Sequence, residues 1–296
     1  MNLPTVKQLR YLIELEKYAH FGKAAEASFV SQSAFSVAIR ELESTLGTQL
    51  FDRTNKRVTI TAMGQEIVVQ ARLVIRDLEA LMDMAWVSSE PLSGKLRLGV
   101  IPTISPFLLP KLLPKLRSQF PRLQLFLQED TTQRVYERLM SGELDLILIA
   151  FPYELRNVEK MKLFNDQFLL AYRTGSQFID KQKVTVDHLQ PESILLLEDG
   201  HCLRDHALSA CKIRNLNKVS HFAASSLLTL IEMVEADLGV TYLPEMAKDS
   251  PMLKNTNIKT QAMPKNSHRE IGLIWRKGSA RGKEFKMLGE FIKKNR

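Results

Sequence analysis

The chain has 296 residues, 45% hydrophobic and 25% charged, which are ordinary globular proportions; they exclude a mainly disordered, collagenous or repetitive polypeptide and leave room for more than one core. No apolar run approaches the ~18 residues of a membrane span and Met1 to Arg10 has no leader-like apolar core, so the expected place is the cytoplasm, with no membrane partner. Two cysteines make no disulfide framework of the secreted kind, and the net charge of +8 raises the question of nucleic acid.

The charge is unevenly placed. Residues 1–90 hold ten Lys/Arg against eleven Asp/Glu, whereas residues 91–296 hold 31 against 22. Bulk charge therefore gives no support to DNA binding by the amino-terminal part, which has to be argued from motif geometry and a few local cations.

From Val6 to Leu50, apolar residues recur at helical spacing: Leu9, Leu12 and Leu15, then Ala24, Ala25 and Val30, then Phe35, Ile39, Leu42 and Leu46. Three short helices fit. Val30-Ser31-Gln32-Ser33 interrupts the pattern between the second and third with serine available as an N-cap, a helix-turn-helix signature. Leu50 to Ile60 reads as two short extended pieces around a polar, basic turn, the shape of a wing. In such a motif the third helix, from about Ser33 to Leu46, enters the major groove. Its apolar side would carry Phe35, Ile39, Leu42 and Leu46, leaving Gln32, Ser33, Ser36, Val37 and Arg40 for base edges, while Arg53, Lys56 and Arg57 serve phosphates. A small helical bundle without a ligand shows the same periodicity; what separates the two is the order of wing, long helix and domain boundary.

Ile67, Ala71, Val74, Leu78, Leu81 and Ala85 follow at alternating steps of four and three, a heptad seam expected to pair with a second copy. The alternative is a helix packed on its own domain. Ser88 to Gly94 ends it with capping and breaking residues. Beyond Gly94 the rhythm is βαβ: Leu96–Ile101, a helix near Leu108–Phe120, Leu123–Leu127, a helix near Gln133–Met140 and Leu144–Ala150. A second series has strands at Phe168–Tyr172, Ile194–Leu197, His221–Ala224 and Val240–Leu243, with helices after Gly200 and near Leu227–Glu235. Ile271–Trp275 and a basic helix, Gly282–Lys294, close the chain, and two α/β subdomains are expected.

Leu196 to Cys211 runs from a strand end through a turn into a helical pattern, with Cys202 at the helix start. The helix dipole, His201 and Arg204 would there favour thiolate over thiol. Cys211, beside Leu208 and Ala210, reads as a small buried hydrophobe. A helix from 202 to 211 would hold the two Cα atoms roughly 13 Å apart, whereas a disulfide needs less than about 7 Å, so oxidation joining them would have to break the helix. Other readings stay open: two inert structural thiols, a metal site built on Cys202 and His206 at i, i+4, or a cleft for an organic effector in which the thiols are incidental.

Leu9-Arg10-Tyr11-Leu12, Phe21-Gly22-Lys23-Ala24-Ala25, Val30 to Ser36, Ile39-Arg40-Glu41-Leu42-Glu43, Leu46-Gly47 and Leu50-Phe51-Asp52-Arg53 resemble the LysR-type transcriptional regulators. The resemblance covers essentially the whole chain; Ser33 stands where the family usually has proline. It implies an α/β protein with a winged helix-turn-helix over 1–60, a dimerising linker helix over 61–90 and a two-lobed regulatory domain like the periplasmic binding proteins over 91–296. Lobe I would comprise about 91–164 and 268–296, and lobe II about 165–267.

The run Leu197 to Asp205 with Cys211 is similar to the hydrogen-peroxide-sensing activators of that family. Ile101-Pro102-Thr103, Ser141-Gly142-Glu143-Leu144-Asp145 and Ile271-Gly272-Leu273 with Arg276 point the same way. That resemblance implies that Cys202 is peroxidatic and Cys211 resolving, and that Thr103, Thr132, His201 and Arg276 line the peroxide pocket. It further implies a homodimer or homotetramer on double-stranded DNA, RNA polymerase as the activated partner, thioredoxin or glutaredoxin as reductant, antioxidant genes as targets, and no cofactor, resident metal or enzymatic turnover. Ala223-Ala224-Ser225-Ser226 departs from the usual pattern around a charged residue. Beside this stand a regulator answering an organic anion, a solute-binding protein without its export signal, and a peroxidase.

Overall fold

The computed structural model describes residues 3–53, 58–86, 92–179, 189–213 and 215–296. Its contacts divide it into a unit formed mainly by residues 1–89 and a unit formed by nearly all the rest.

The first unit begins with α1 (Val6–Tyr18), opened by a capping box in which Thr5 accepts from the Gln8 amide and Gln8 reaches back to the Thr5 backbone. α2 (Phe21–Ala27) and α3 (Gln32–Leu46) follow. Ser31 is the N-cap of α3, its hydroxyl accepting from Ala34, and Gly47 ends the helix in the left-handed conformation that costs glycine least. Tyr11, Leu12, Leu15, Ala24, Ala25, Phe35, Ile39 and Leu42 form the core, with Phe35 stacked on Tyr11 at 4.6 Å. Truncating Phe35 to Ala would cost about 3–5 kcal/mol. Leu46, expected on this apolar side, is exposed instead, because α3 ends there and no described residue covers its last turn. Strands β1 (Phe51–Arg53) and β2 (Val58–Ile60) pair antiparallel as the wing. Lys56 and Arg57 lie outside the described residues, as does the side chain of Arg53.

α4 (Ala62–Trp86) carries the heptad seam, and its two halves differ. Ala71 joins the winged core with Val68, and Ile67 packs against it, so the amino-terminal end of the seam is covered within its own unit. Val74, Leu78 and Leu81 are exposed; the side chain of Ala85 is outside the described set. The expected boundary falls largely in residues 87–91, also outside it.

In the second unit, β3 (Gly94–Val100) pairs in parallel with β4 (Leu123–Glu129) and β5 (Leu146–Phe151). α5 (Ser105–Gln119) and α6 (Thr132–Met140) make the crossovers, α5 starting earlier than expected because Pro106 suits a first helical turn, where a missing N–H is not needed. β6 is the largest departure from expectation: it runs from Val158 to Arg173 rather than Phe168 to Tyr172. Its first ten residues pair with β11 (His268–Arg276), and its last residues pair with β9 (Thr241–Pro244) and β10 (Ile258–Ala262). The two expected subdomains therefore share one seven-stranded mixed sheet, ordered β10-β6-β11-β5-β3-β4 with β9 also on β6.

Two hydrophobic cores nevertheless divide the unit. One, in lobe I, gathers residues of β3, α5, α6, β5, β11 and α10 (Gly282–Asn295). The other, in lobe II, gathers the end of β6, β7 (Ile194–Leu197), α7 (Cys202–Ala210), α8 (Leu227–Glu235) and β9; β7 pairs in parallel with β8 (Val219–Ala224). A short α9 (Pro251–Lys254) precedes β10.

Candidate functional site

α7 begins directly after a turn at Gly200, whose φ of +97° few other residues would adopt, so that Cys202 is placed in the first helical turn. Cys202 is 8% exposed and belongs to the lobe I core, whereas Leu203, Ala207 and Cys211, itself 5% exposed, belong to the lobe II core. Both thiols are free, and Cys211 is the C-cap of the nine-residue helix that separates them, nine steps of ~1.5 Å. The intact helix keeps the sulfurs beyond bonding reach.

Around Cys202 the sheet ends supply polar groups. Arg269 on β11 is fully buried, its Nε donating to Asp166 Oδ2 at 2.9 Å and its two terminal nitrogens to the hydroxyl and carbonyl of Thr103, both at 2.8 Å. Thr132, the first residue of α6, is buried near the thiol, and its hydroxyl makes no normal hydrogen bond with any described residue. Burial raises the Cys202 pKa; the Thr132 hydroxyl, the Arg269 charge and the backbone N–H of Cys202 oppose it, while Asp205 adds to the rise. The expected thiolate is therefore corrected: desolvation outweighs the helix start. Arg204 does not help, since it donates to the Leu197 carbonyl and pairs with Asp199 at 3.1 Å. Cys211 has no such opposing groups, and burial pushes it up to about 12.

Of the residues expected to line the pocket, Thr132 lies beside Cys202, while Thr103 is held by Arg269, whose charge acts on the thiol. His201 is the half-buried N-cap of α7 and makes no side-chain cap bond. Arg276 is not there. It donates to the carbonyls of Leu139 at 2.6 Å and Leu144 at 3.0 Å, seven residues along β11 from Arg269 and thus roughly 23 Å away. The arginine that sequence reading missed is Arg269, whose signal was a cation just ahead of the apolar run Ile271–Trp275. His206, one turn after Cys202, is buried; its Nε2–H donates to the Pro152 carbonyl at 2.8 Å and its Nδ1 has no partner among the described residues, which form no metal cluster with Cys202. Burial holds the His206 pKa below its usual value, with Arg269 acting in the same direction. Ser226 caps α8 by accepting from the Thr229 amide, a structural use for the segment that departs from the family pattern.

On α3, Gln32, Ser33, Val37 and Arg40 are exposed and Ser36 is half-buried, so the five form one accessible face opposite Phe35, Ile39 and Leu42. Phe29, in the turn before α3, is 95% exposed, an aromatic that the helical periodicity did not single out.

Residues 6–65 match the bacterial regulatory helix-turn-helix of the lysR family and residues 89–296 the LysR substrate binding domain. The chain belongs to the LysR family of transcriptional regulators: it binds DNA through its helix-turn-helix and is not an enzyme. It is 39% identical over 296 residues to the HTH-type transcriptional regulator EstR of Acinetobacter baylyi, covering 99% of this chain and 97% of that protein. It is 36% identical over 288 residues to the DNA-binding transcriptional dual regulator OxyR of Escherichia coli, covering 97% and 94%. Full-length OxyR of Pseudomonas aeruginosa with one cysteine replaced by aspartate superposes with a TM-score of 0.82 at 32% identity, covering 99% of this chain and 95% of that one. The chain is thus a LysR-type regulator related to OxyR.

Proposed function

We propose that this regulator senses hydrogen peroxide by reversible formation of a Cys202–Cys211 disulfide and thereby activates antioxidant genes. The observation that carries the reading is α7 itself, one helix with a thiol at each end, each anchored in a different core. The Cys202 sulfur gives up its proton and attacks one peroxide oxygen; the O–O bond breaks, and the leaving hydroxide takes up that proton, giving a sulfenic acid and water. Cys211 then displaces that hydroxyl as a second water, and the S–S bond forms at the expense of the helix. Two electrons pass from the thiols to peroxide, and thioredoxin or glutaredoxin returns them. Thr103, Thr132 and Arg269 form the pocket, with His201 at its edge and no part for Arg276.

The message passes to RNA polymerase through a homodimer or homotetramer on duplex DNA. Support for self-association is the exposed half of the α4 seam, where Leu81 is 61% exposed. Gln32, Ser33, Ser36, Val37 and Arg40 read bases, and Arg53, Lys56 and Arg57 hold phosphates. Thiol mapping by mass spectrometry after a brief peroxide pulse, with promoter footprints from the same samples, tests the reading: a 202–211 linked peptide should appear with a changed footprint, and Cys202→Ser should remove both.

A second reading, response to a small organic effector, is favoured by a cavity of about 270 Å³ lined by Phe107, Lys111, Phe164 and Met246 among others. A normal reporter response to peroxide in the Cys202→Ser variant would select it.

A further inference from the structure

The basic excess of the chain falls on one lobe. Lobe I, residues 92–164 and 268–296, carries twenty Lys/Arg against ten Asp/Glu; lobe II, residues 165–267, carries eleven against twelve, and residues 1–90 ten against eleven. Within lobe I, seven of the twenty cations lie on two helices that touch, against two acids, Glu284 and Glu290, both on α10. α5 and α10 meet edge to face through Phe120 and Phe291 at 5.6 Å, and Lys115 Nζ donates to the Asn295 carbonyl at 3.4 Å. Lys111 and Lys115 stand one turn apart on the exposed side of α5, a helix without an acidic residue. On α10, Phe285, Leu288 and Ile292 face the core, which turns Lys283, Lys286 and Lys294 outward together. None of these five lysines has an acidic partner among the described residues; Glu290, on the same face, pairs with Lys293.

We propose that this α5–α10 face of lobe I is a second, sequence-independent contact for duplex DNA, holding phosphates while the helix-turn-helix reads bases. The occupant follows from charge and surface chemistry. A protein partner would want an apolar centre with aromatic anchors, yet the only large exposed hydrophobic residue described on α10 is Met287, whereas a row of phosphates needs nothing but cations at intervals. The helix-turn-helix part, with no net positive charge of its own, gains from such a contact what its composition does not supply. The two units are parts of one chain, so a duplex held by the helix-turn-helix is offered to lobe I at raised local concentration.

The test is the salt dependence of binding by the full-length protein to a random-sequence duplex of ~40 bp, about four helical turns, read by fluorescence anisotropy. Each phosphate contact adds about 0.9 to the slope of log affinity against log salt. The variant K111Q/K115Q/K286Q/K294Q should lower that slope by about three to four, shrinking the loss of affinity between 50 and 200 mM salt by about 100-fold. A control that removes as many exposed cations from lobe II, K212Q/K254Q/K259Q/K265Q, should leave the slope within about one of the wild type. An unchanged slope in the lobe I variant overturns the proposal and leaves the face to an acidic protein; equal changes in both variants overturn it in favour of bulk charge. Thermal denaturation of each variant shows whether the fold is kept, and single substitutions at Lys111 and Lys294, each expected to take about one from the slope, decide the matter if the fourfold variant does not fold.

Discussion

Cys202 and Cys211 close the two ends of one helix and are almost equally hidden from solvent, yet the groups around them differ in kind. Beside Cys202 stand a hydroxyl, a backbone N–H and a buried guanidinium, all of which favour its anion against the cost of burial. Beside Cys211 burial acts unopposed, and the nearby Tyr242 hydroxyl is buried without a partner among the described residues. Concealment and inertness are therefore separate properties. Burial raises the pKa of both thiols, and only at Cys202 do polar groups buried beside it offset part of that rise.

The strongest way to break this contrast is Arg269→Ala, which strips the polar end and leaves Asp166 buried and unpaired. Such a loss costs about 3–5 kcal/mol, and chemical denaturation should show it, with Arg269→Lys recovering part. If the two ends became equally unreactive while stability held, the guanidinium would be acting on the thiol alone. A second test uses acid. His206 is neutral when folded and its pKa lies below the unfolded value of 6.5, so the folded state is favoured above about pH 6.5 and loses stability as pH falls through the lower folded value. His206→Gln should flatten that acid limb in thermal melts between pH 7 and 5 while leaving the Cys211 end untouched.

Smaller effects sharpen the contrast. Thr132→Val, which keeps the shape and removes the hydroxyl, should raise the Cys202 pKa further and slow its alkylation several-fold in a pH–rate profile. Stability should shift by no more than about 1 kcal/mol, since the hydroxyl has no other partner. At the other end, Tyr242→Phe deletes a buried hydroxyl that bonds to nothing described; lobe II should be unchanged or more stable by up to about 1 kcal/mol, and Cys202 alkylation unaffected.

How far the sequence revealed this depended on whether a feature was local. The three amino-terminal helices are legible because Leu12, Leu15, Phe35, Ile39 and Leu42 repeat at helical spacing, and the start of α7 because Gly200 precedes it. Of the groups around Cys202, Thr103 and Thr132 were named only through family resemblance and Arg269 not at all, since the three come from distant stretches of chain. The misplacement of the arginine has the same origin: Arg269 and Arg276 lie on one strand, and nothing in the spacing says which end of the strand meets α7. Likewise the first half of β6, with Glu159, Lys160 and Lys162 among its apolar residues, reads as loop until its pairing with β11 is seen.

That long strand constrains any attempt to treat the lobes as exchangeable modules. Because β6 pairs with β11 of lobe I along its first part and with β9 and β10 of lobe II along its last, a chimera joined at residue 165 would graft two half-strands whose twist and register must agree across the seam. Any relative movement of the lobes has to turn about that unbroken thread, as torsion rather than as the parting of two halves.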